Sequence, residues 1–166
     1  MRRRPRTAIV AGAVGALFVL LVSSMAIAAD LTEERAAYRT QVEPICKRNR
    51  KANDRVLKGV KKNITSGKLK LAATQFAKGA AALKKARSQL VTVPKPAADN
   101  ARLTKWLGYI KTEIELFEKV SKKLKTGDKR GAQRMAIYLT STANKANNTV
   151  LPYEFKYCRV EPSQFQ

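Results

Sequence analysis

Histidine is absent from this 166-residue chain, cysteine occurs twice, and only twelve residues are acidic. The missing histidine removes the commonest general base near neutral pH and the commonest metal ligand. Two cysteines, Cys46 and Cys158, exclude a thiol-rich metal site, and they form no C-x-x-C motif. Glu113 and Glu115 cannot share a helix face, and Glu118 lies five residues beyond Glu113, so no carboxylate pair suggests acid–base catalysis. Period-two patterning is confined to the short stretch Tyr153-Glu154-Phe155-Lys156-Tyr157, which argues against a β fold. The expectation is a protein that is not an enzyme, with no catalytic, cofactor-binding or metal-binding residues and no cofactor.

The N-terminus carries an address. Arg2, Arg3, Arg4 and Arg6 precede an apolar run from Ala8 to Val22, then Ser23-Ser24 and the small-residue site Ala26-Ile27-Ala28. That order predicts a signal peptide over residues 1–28, cleaved after Ala28. The competing reading is an uncleaved anchor over about residues 7–29, long enough to span a bilayer, with the arginines left in the cytoplasm. Both readings make the rest extracytoplasmic: secreted, or associated with the cell envelope.

Removing residues 1–28 takes four of the 34 basic residues with it and lowers the formal charge from +22 to +18. An excess of that size attracts anionic surfaces through forces that weaken with salt. The basic residues are spread over every segment rather than gathered in one block.

Proline and glycine divide the mature chain into helical stretches. Residues 29–43 form a leader, a short helix bent at Pro44, or an extension of helix one, and Pro44 opens a stretch that ends at Ser66-Gly67. A second runs from about Lys68 to Thr92, stopped by Val93-Pro94-Lys95-Pro96. A third runs from about Ala98 to Lys125, and a fourth from the N-cap residue Asp128 to just before Pro152. Each has an apolar stripe at helical spacing, for example Leu103, Trp106, Leu107, Ile110, Ile114, Phe117, Val120 and Leu124. The stripe of the fourth is weaker, with Ala132, Met135, Leu139, Ala143, Ala146 and Val150. The predicted class is all-α: an antiparallel up-down four-helix bundle over residues 44–166, including a C-terminal tail, behind the signal or anchor segment.

In an exported chain the two distant cysteines read first as one disulfide, Cys46–Cys158. Such a topology puts the start of the first helix and the end of the fourth together, so bundle and disulfide imply the same geometry. Val60, Lys62, Ile64, Ser66, Gly67 and Ala72 also align with Val120, Lys122, Leu124, Thr126, Gly127 and Ala132 at an offset of 60 residues. The export segment, Ile45-Cys46 near the start of helix one, Gly127-Asp128 at the start of helix four and the aromatic tail ending in Cys158 resemble small uncharacterised exported helical-bundle proteins found in actinobacteria. The resemblance implies a compartment and a disulfide rather than an activity, and no functional residues carry over.

Two functional expectations follow. The first is envelope docking on an anionic lipid or envelope polymer. It would use Lys47, Arg48, Lys51, Arg55, Lys58, Lys61 and Lys62 of helix one, with Lys119, Lys122, Lys123 and Lys125 of helix three. The second is a carrier of a small apolar ligand, with the Ala-rich second helix facing Trp106, Tyr109 and Phe117 across the core. Specific nucleic-acid binding does not suit an exported protein, and the oligomeric state is not encoded in any motif.

Overall fold

Helical spacing of apolar residues dominates the chain after residue 30, and the fold follows it. The structure, a computed structural model, describes residues 16–160, with side chains from residue 31 onward. Residues 1–15 of the expected export segment and residues 161–166 of the tail lie outside the described residues. The described chain is all-α, without a strand among the described residues. Helix α1 spans Ala16–Leu57, α2 Val60–Thr65, α3 Leu69–Leu90, α4 Asn100–Lys125 and α5 Lys129–Thr149. Short 3-10 turns at Ala97–Asp99 and Leu151–Tyr153 precede α4 and follow α5. No helix among the described residues is long and apolar enough to cross a membrane.

Helix α1 passes straight through Pro44, so residues 30–43 extend the first helix rather than forming a separate leader. A proline there removes one backbone hydrogen bond and crowds the preceding turn. Contacts on both sides of it hold the helix on course. Tyr38, Val42, Ile45 and Cys46 are buried on one face. Glu43 accepts the backbone N–H groups of Lys156 and Tyr157, and Cys46 is bonded to Cys158.

The first helical stretch breaks instead at Gly59, whose φ of 73° is left-handed, a conformation glycine adopts without strain. Gln75 of α3 stitches this break. Its Nε2 donates to the carbonyls of Val56 and Lys58 at 2.8 and 3.0 Å, and its Oε1 accepts from Asn63 of α2. These bonds satisfy carbonyls that the end of α1 would otherwise leave open.

Hydrogen bonds between helices establish the pairing of α3 with α4. Ser121 donates to the carbonyl of Ala73, and Arg87 to the carbonyl of Leu107, so rising numbers on one helix meet falling numbers on the other. Helix α3 packs against α1 and α4, and α4 packs against α5. Two apolar clusters result. One lies toward the turns at Gly67 and Gly127 and includes Phe76, Phe117, Leu124 and Leu139. The other lies toward the tail and includes Tyr38, Trp106, Tyr153 and Phe155.

The two glycine turns duplicate each other. Gly67 and Gly127 both have φ 78°, and donate to Ile64 and Leu124 respectively. Ser66 and Thr126 donate to Lys62 and Lys122, again 60 residues apart. The offset seen in the sequence is therefore a repeated turn conformation.

Beyond α5 the tail keeps its period-two character without becoming a strand. Tyr153 and Phe155 are buried, while Glu154 and Lys156 between and after them are exposed. Tyr38 meets Tyr153 edge-on at 5.6 Å, and Phe155 lies 5.6 Å from Trp106. Asn147 holds the end of the tail, exchanging hydrogen bonds with both backbone groups of Val160. The tail thus fills the space between α1 and α5 at its own end of the molecule, and among the described residues the opposite end is open.

Candidate functional site

All eleven basic residues expected to bind anionic surfaces are exposed. The fold divides them into two groups. Lys47, Arg48, Lys51 and Arg55 lie along the middle of α1. There Lys47 sits over the Tyr157 ring, Arg48 reaches Gln89, and Arg55 bonds the carbonyl of Lys51. The other seven, Lys58, Lys61, Lys62, Lys119, Lys122, Lys123 and Lys125, collect at the end that carries the glycine turns, because α1–α2 and α4 both finish there.

Five further cations join them: Lys68 and Lys70 at the start of α3, and Lys129, Arg130 and Arg134 at the start of α5. Residues 58–70 and 118–134 thus contribute twelve basic side chains against two acidic ones, Glu118 and Asp128. Asp128 is already engaged, accepting the N–H of Gly131 and pairing with Lys123 at 2.9 Å. Those two contacts, the Gly131 N–H first, hold its carboxyl below the usual range. By contrast Glu33, Glu34, Glu43, Asp99 and Glu154 stand toward the other end, among Arg35, Arg39, Lys95, Arg102 and Lys156, and several of them are ion-paired there. The basic excess is thus denser and less compensated at the glycine-turn end than at the tail end. Sequence reasoning missed the five added cations because neighbours in the fold are up to about 70 residues apart in the chain.

Beside this end lies an open groove of about 830 Å³ between α1–α2 and α5. The volume is within the range of small-molecule sites. Its floor reaches the core at Phe76, Val120 and Leu124, and its walls include Leu57, Val60 and Ile64 opposite α5. The α5 wall is built from small side chains, Ala132, Ala136, Thr140 and Ser141, together with Ile137, which is 61% exposed. Lys61, Lys129 and Lys145 stand at its edge, and no carboxylate lines it among the described residues.

The space expected between the Ala-rich helix and the aromatics of α4 is filled. A methyl group at Gly79 would come within 3.0 Å of the Phe117 ring, and Phe76 and Phe117 lie 5.7 Å apart. Trp106 is 1% exposed and packs on Phe155. The open volume lies on the other side of the molecule, between α5 and α1–α2.

Two buried carboxylates sit apart from the groove. Asp99 accepts Nε and Nη2 of Arg35 at 2.6 and 3.1 Å and the hydroxyl of Tyr153 at 2.8 Å, with Arg102 also within 3.3 Å. The Arg35 contact above all keeps it ionised below the ordinary carboxylate range. Glu113 is the opposite case. It is 1% exposed, its Oε1 has no hydrogen-bond partner, and burial raises its pKa to about 8. It faces a small cavity of about 60 Å³ shared with Asn53, whose Oδ1 is also unpartnered.

No family model, curated protein or solved structure matches the chain. Function is therefore read from the geometry alone. Among the described residues, no group of three His, Cys, Asp or Glu side chains could hold a metal ion.

Proposed function

We propose that this protein is an exported, non-catalytic binding protein, a bundle of four long antiparallel helices that docks its basic end on anionic surfaces. The observation that carries this reading is the concentration of twelve basic side chains, against two acidic ones, at the end bearing the glycine turns. Each lysine or arginine brought near an anionic membrane contributes about 1 kcal/mol, screened over a Debye length of about 8–10 Å. Three or four such contacts suffice for recruitment at modest salt. The Cys46–Cys158 disulfide suits an oxidising compartment.

The continuity of α1 sets a condition on this reading. From Asp30 to Leu57 the helix rises about 40 Å. An uncleaved anchor would hold the basic end that far from its own leaflet, so docking on the same membrane requires the cleaved form. The tethered form would present the basic end to an envelope polymer instead.

The test is sedimentation of the oxidised 29–166 chain with vesicles of phosphatidylglycerol or phosphatidylcholine. Lys58, Lys62, Lys122 and Lys125 are replaced by Glu in one variant, and Lys47, Arg48, Lys51 and Arg55 in another. The first set should weaken binding to the anionic vesicles about a hundredfold or more, as the loss of three or four contacts implies. The second should change it by much less. Equal losses from the two sets would remove the basic end from the account. Absence of vesicle binding, with retention by an anionic polymer, would move the docking partner from lipid to polymer.

A further inference from the structure

Helix α5 covers only part of the side of the molecule it faces. Toward the tail, Tyr153, Phe155 and the disulfide close the gap to α1, but toward the glycine turns none of the described residues does, and the groove descends there to Phe76 and Leu124. Leu124 is 1% exposed and Phe76 4% exposed, so the groove ends against packed core side chains. The feature is a slot between helices, apolar within and cationic at its edge. We infer that this groove binds the acyl chain of a single-chain fatty carboxylate, with its head group held by the edge lysines Lys61 and Lys129.

Three observations select this occupant. The α5 wall offers Ala132, Ala136, Thr140 and Ser141, small side chains that leave width for a polymethylene chain, beside Gln133 and a single large apolar side chain, Ile137. The groove runs beside α5 from Lys129 to Asn148, a rise of about 28 Å, so an extended chain can lie along it. The charge at its edge is of one sign: Lys61, Lys129 and Lys145, with Asn144 and Asn148 as neutral polar neighbours. The same lysines oppose a second copy of this chain, since two such edges would bring cations against cations.

Helix α2 forms a wall of the slot and has no fully buried residue of its own. It is held by the Gln75 bonds to Asn63 and to the carbonyls at the end of α1. Gln75 is thus a positioning residue for the groove. This inference goes beyond docking and does not depend on it: the groove is a site for a monomeric amphiphile, whereas the basic end meets a surface.

The experiment is titration of the oxidised 29–166 chain with a dansyl-labelled fatty acid and, in parallel, its methyl ester, followed by fluorescence. The acid should bind in the micromolar range and the ester more weakly. Ala136→Trp, which fills the slot, should weaken the acid by at least about tenfold, the equivalent of two lost methylene contacts. That variant should leave vesicle docking unchanged. Lys61→Glu with Lys129→Glu should weaken the acid and spare the ester.

As a measurement that needs no variant, a diazirine-bearing palmitate photolysed with the unsubstituted chain should label peptides from residues 57–64 and 132–148. Labelling confined to other regions, such as the exposed Leu71 or Leu151, would overturn the assignment. So would an acid that fails to bind below the concentration at which it forms micelles. A dimer in sedimentation that Ala136→Trp dissociates, or displacement of the probe by an acidic amphipathic peptide but not by palmitate, would assign the groove to a protein partner and refute the proposal. Loss of vesicle docking with intact fatty-acid binding would sink the docking reading alone, and the converse would sink this one alone.

Discussion

Replacing Glu113 by Gln should make the protein more stable at neutral pH and remove most of its pH dependence between mildly acidic and mildly basic conditions. The carboxyl is buried, its Oε1 has no partner, and its pKa in the folded chain is raised to about 8 from an ordinary 4.5. The folded state therefore holds this proton more tightly than the unfolded one, and its stabilising effect is fully present below the unfolded pKa. Between the two pKa values the unfolded chain has lost the proton and the folded chain has kept it. Stability then falls by about 1.4 kcal/mol for each pH unit. From about pH 5.5 to pH 7.5 the loss comes to about 2–3 kcal/mol, within a ceiling of roughly 5 kcal/mol for the whole shift. Because histidine is absent, no other side chain of ordinary pKa titrates in this window. The assay is urea unfolding of the oxidised chain at fixed ionic strength across that range, for wild type and Glu113→Gln. The two should have similar stability at the acidic end and diverge as pH rises, the variant staying nearly flat. A wild-type profile that is level or rises with pH, or a variant that keeps the wild-type slope, would show that Glu113 is not held neutral by burial.

Lys68 occupies in the first glycine turn the place that Asp128 fills in the second, but it gives α3 no side-chain cap. Lys68→Asp should therefore raise stability by about 1 kcal/mol, read as a shift in urea midpoint with unchanged slope. The hydroxyl of Tyr38 is buried without a partner, and burial pushes its pKa up to about 12. Tyr38→Phe should be neutral or stabilising by up to about 1 kcal/mol, and a clear loss would reveal a hydrogen bond absent from this structure. Asp99→Asn should cost about 3 kcal/mol at neutral pH by leaving Arg35 without its anionic partner. The Asp99 pKa is lowered on folding, so its contribution is present above the unfolded carboxylate pKa and fades as pH falls through the folded value. The gap between variant and wild type should narrow on acidification; a gap independent of pH would mean that the charge is not what matters.

Much of the fold was legible in the sequence because it rests on local rules. The turns at Gly67 and Gly127 followed from residues that tolerate left-handed backbone, and the helices between them from their apolar stripes. The pairing of Cys46 with Cys158 followed from the expectation of export and from antiparallel geometry. Alternation at Tyr153 and Phe155 marked two side chains that seal the core. What escaped depends on tertiary contacts. The sequence left open whether residues 29–43 bend at Pro44 or extend helix one, and the helix continues across it with Glu43 and Cys46 tied to the tail. The break at Gly59 looks like any mid-helix glycine until Gln75 is seen bonding the freed carbonyls. Glu113 stood out in the sequence only as an acid without a catalytic partner, since burial of its position is a property of packing. The groove had a faint signal in the weak apolar stripe of α5, where Ala132 stands in place of a larger residue. The basic end was legible in part: seven of its cations were expected, but their meeting with Lys68, Lys70, Lys129, Arg130 and Arg134 depends on antiparallel packing of segments far apart in the chain.

Depth-dependent quenching on anionic vesicles tests the central reading most directly. A fluorophore placed at Thr126, beside Gly127, should be quenched by brominated phosphatidylglycerol, and the same fluorophore at Thr92, at the opposite end, should not. The difference should vanish as salt releases the protein from the membrane. Equal quenching at both positions, or stronger quenching at Thr92, would contradict docking through the basic end.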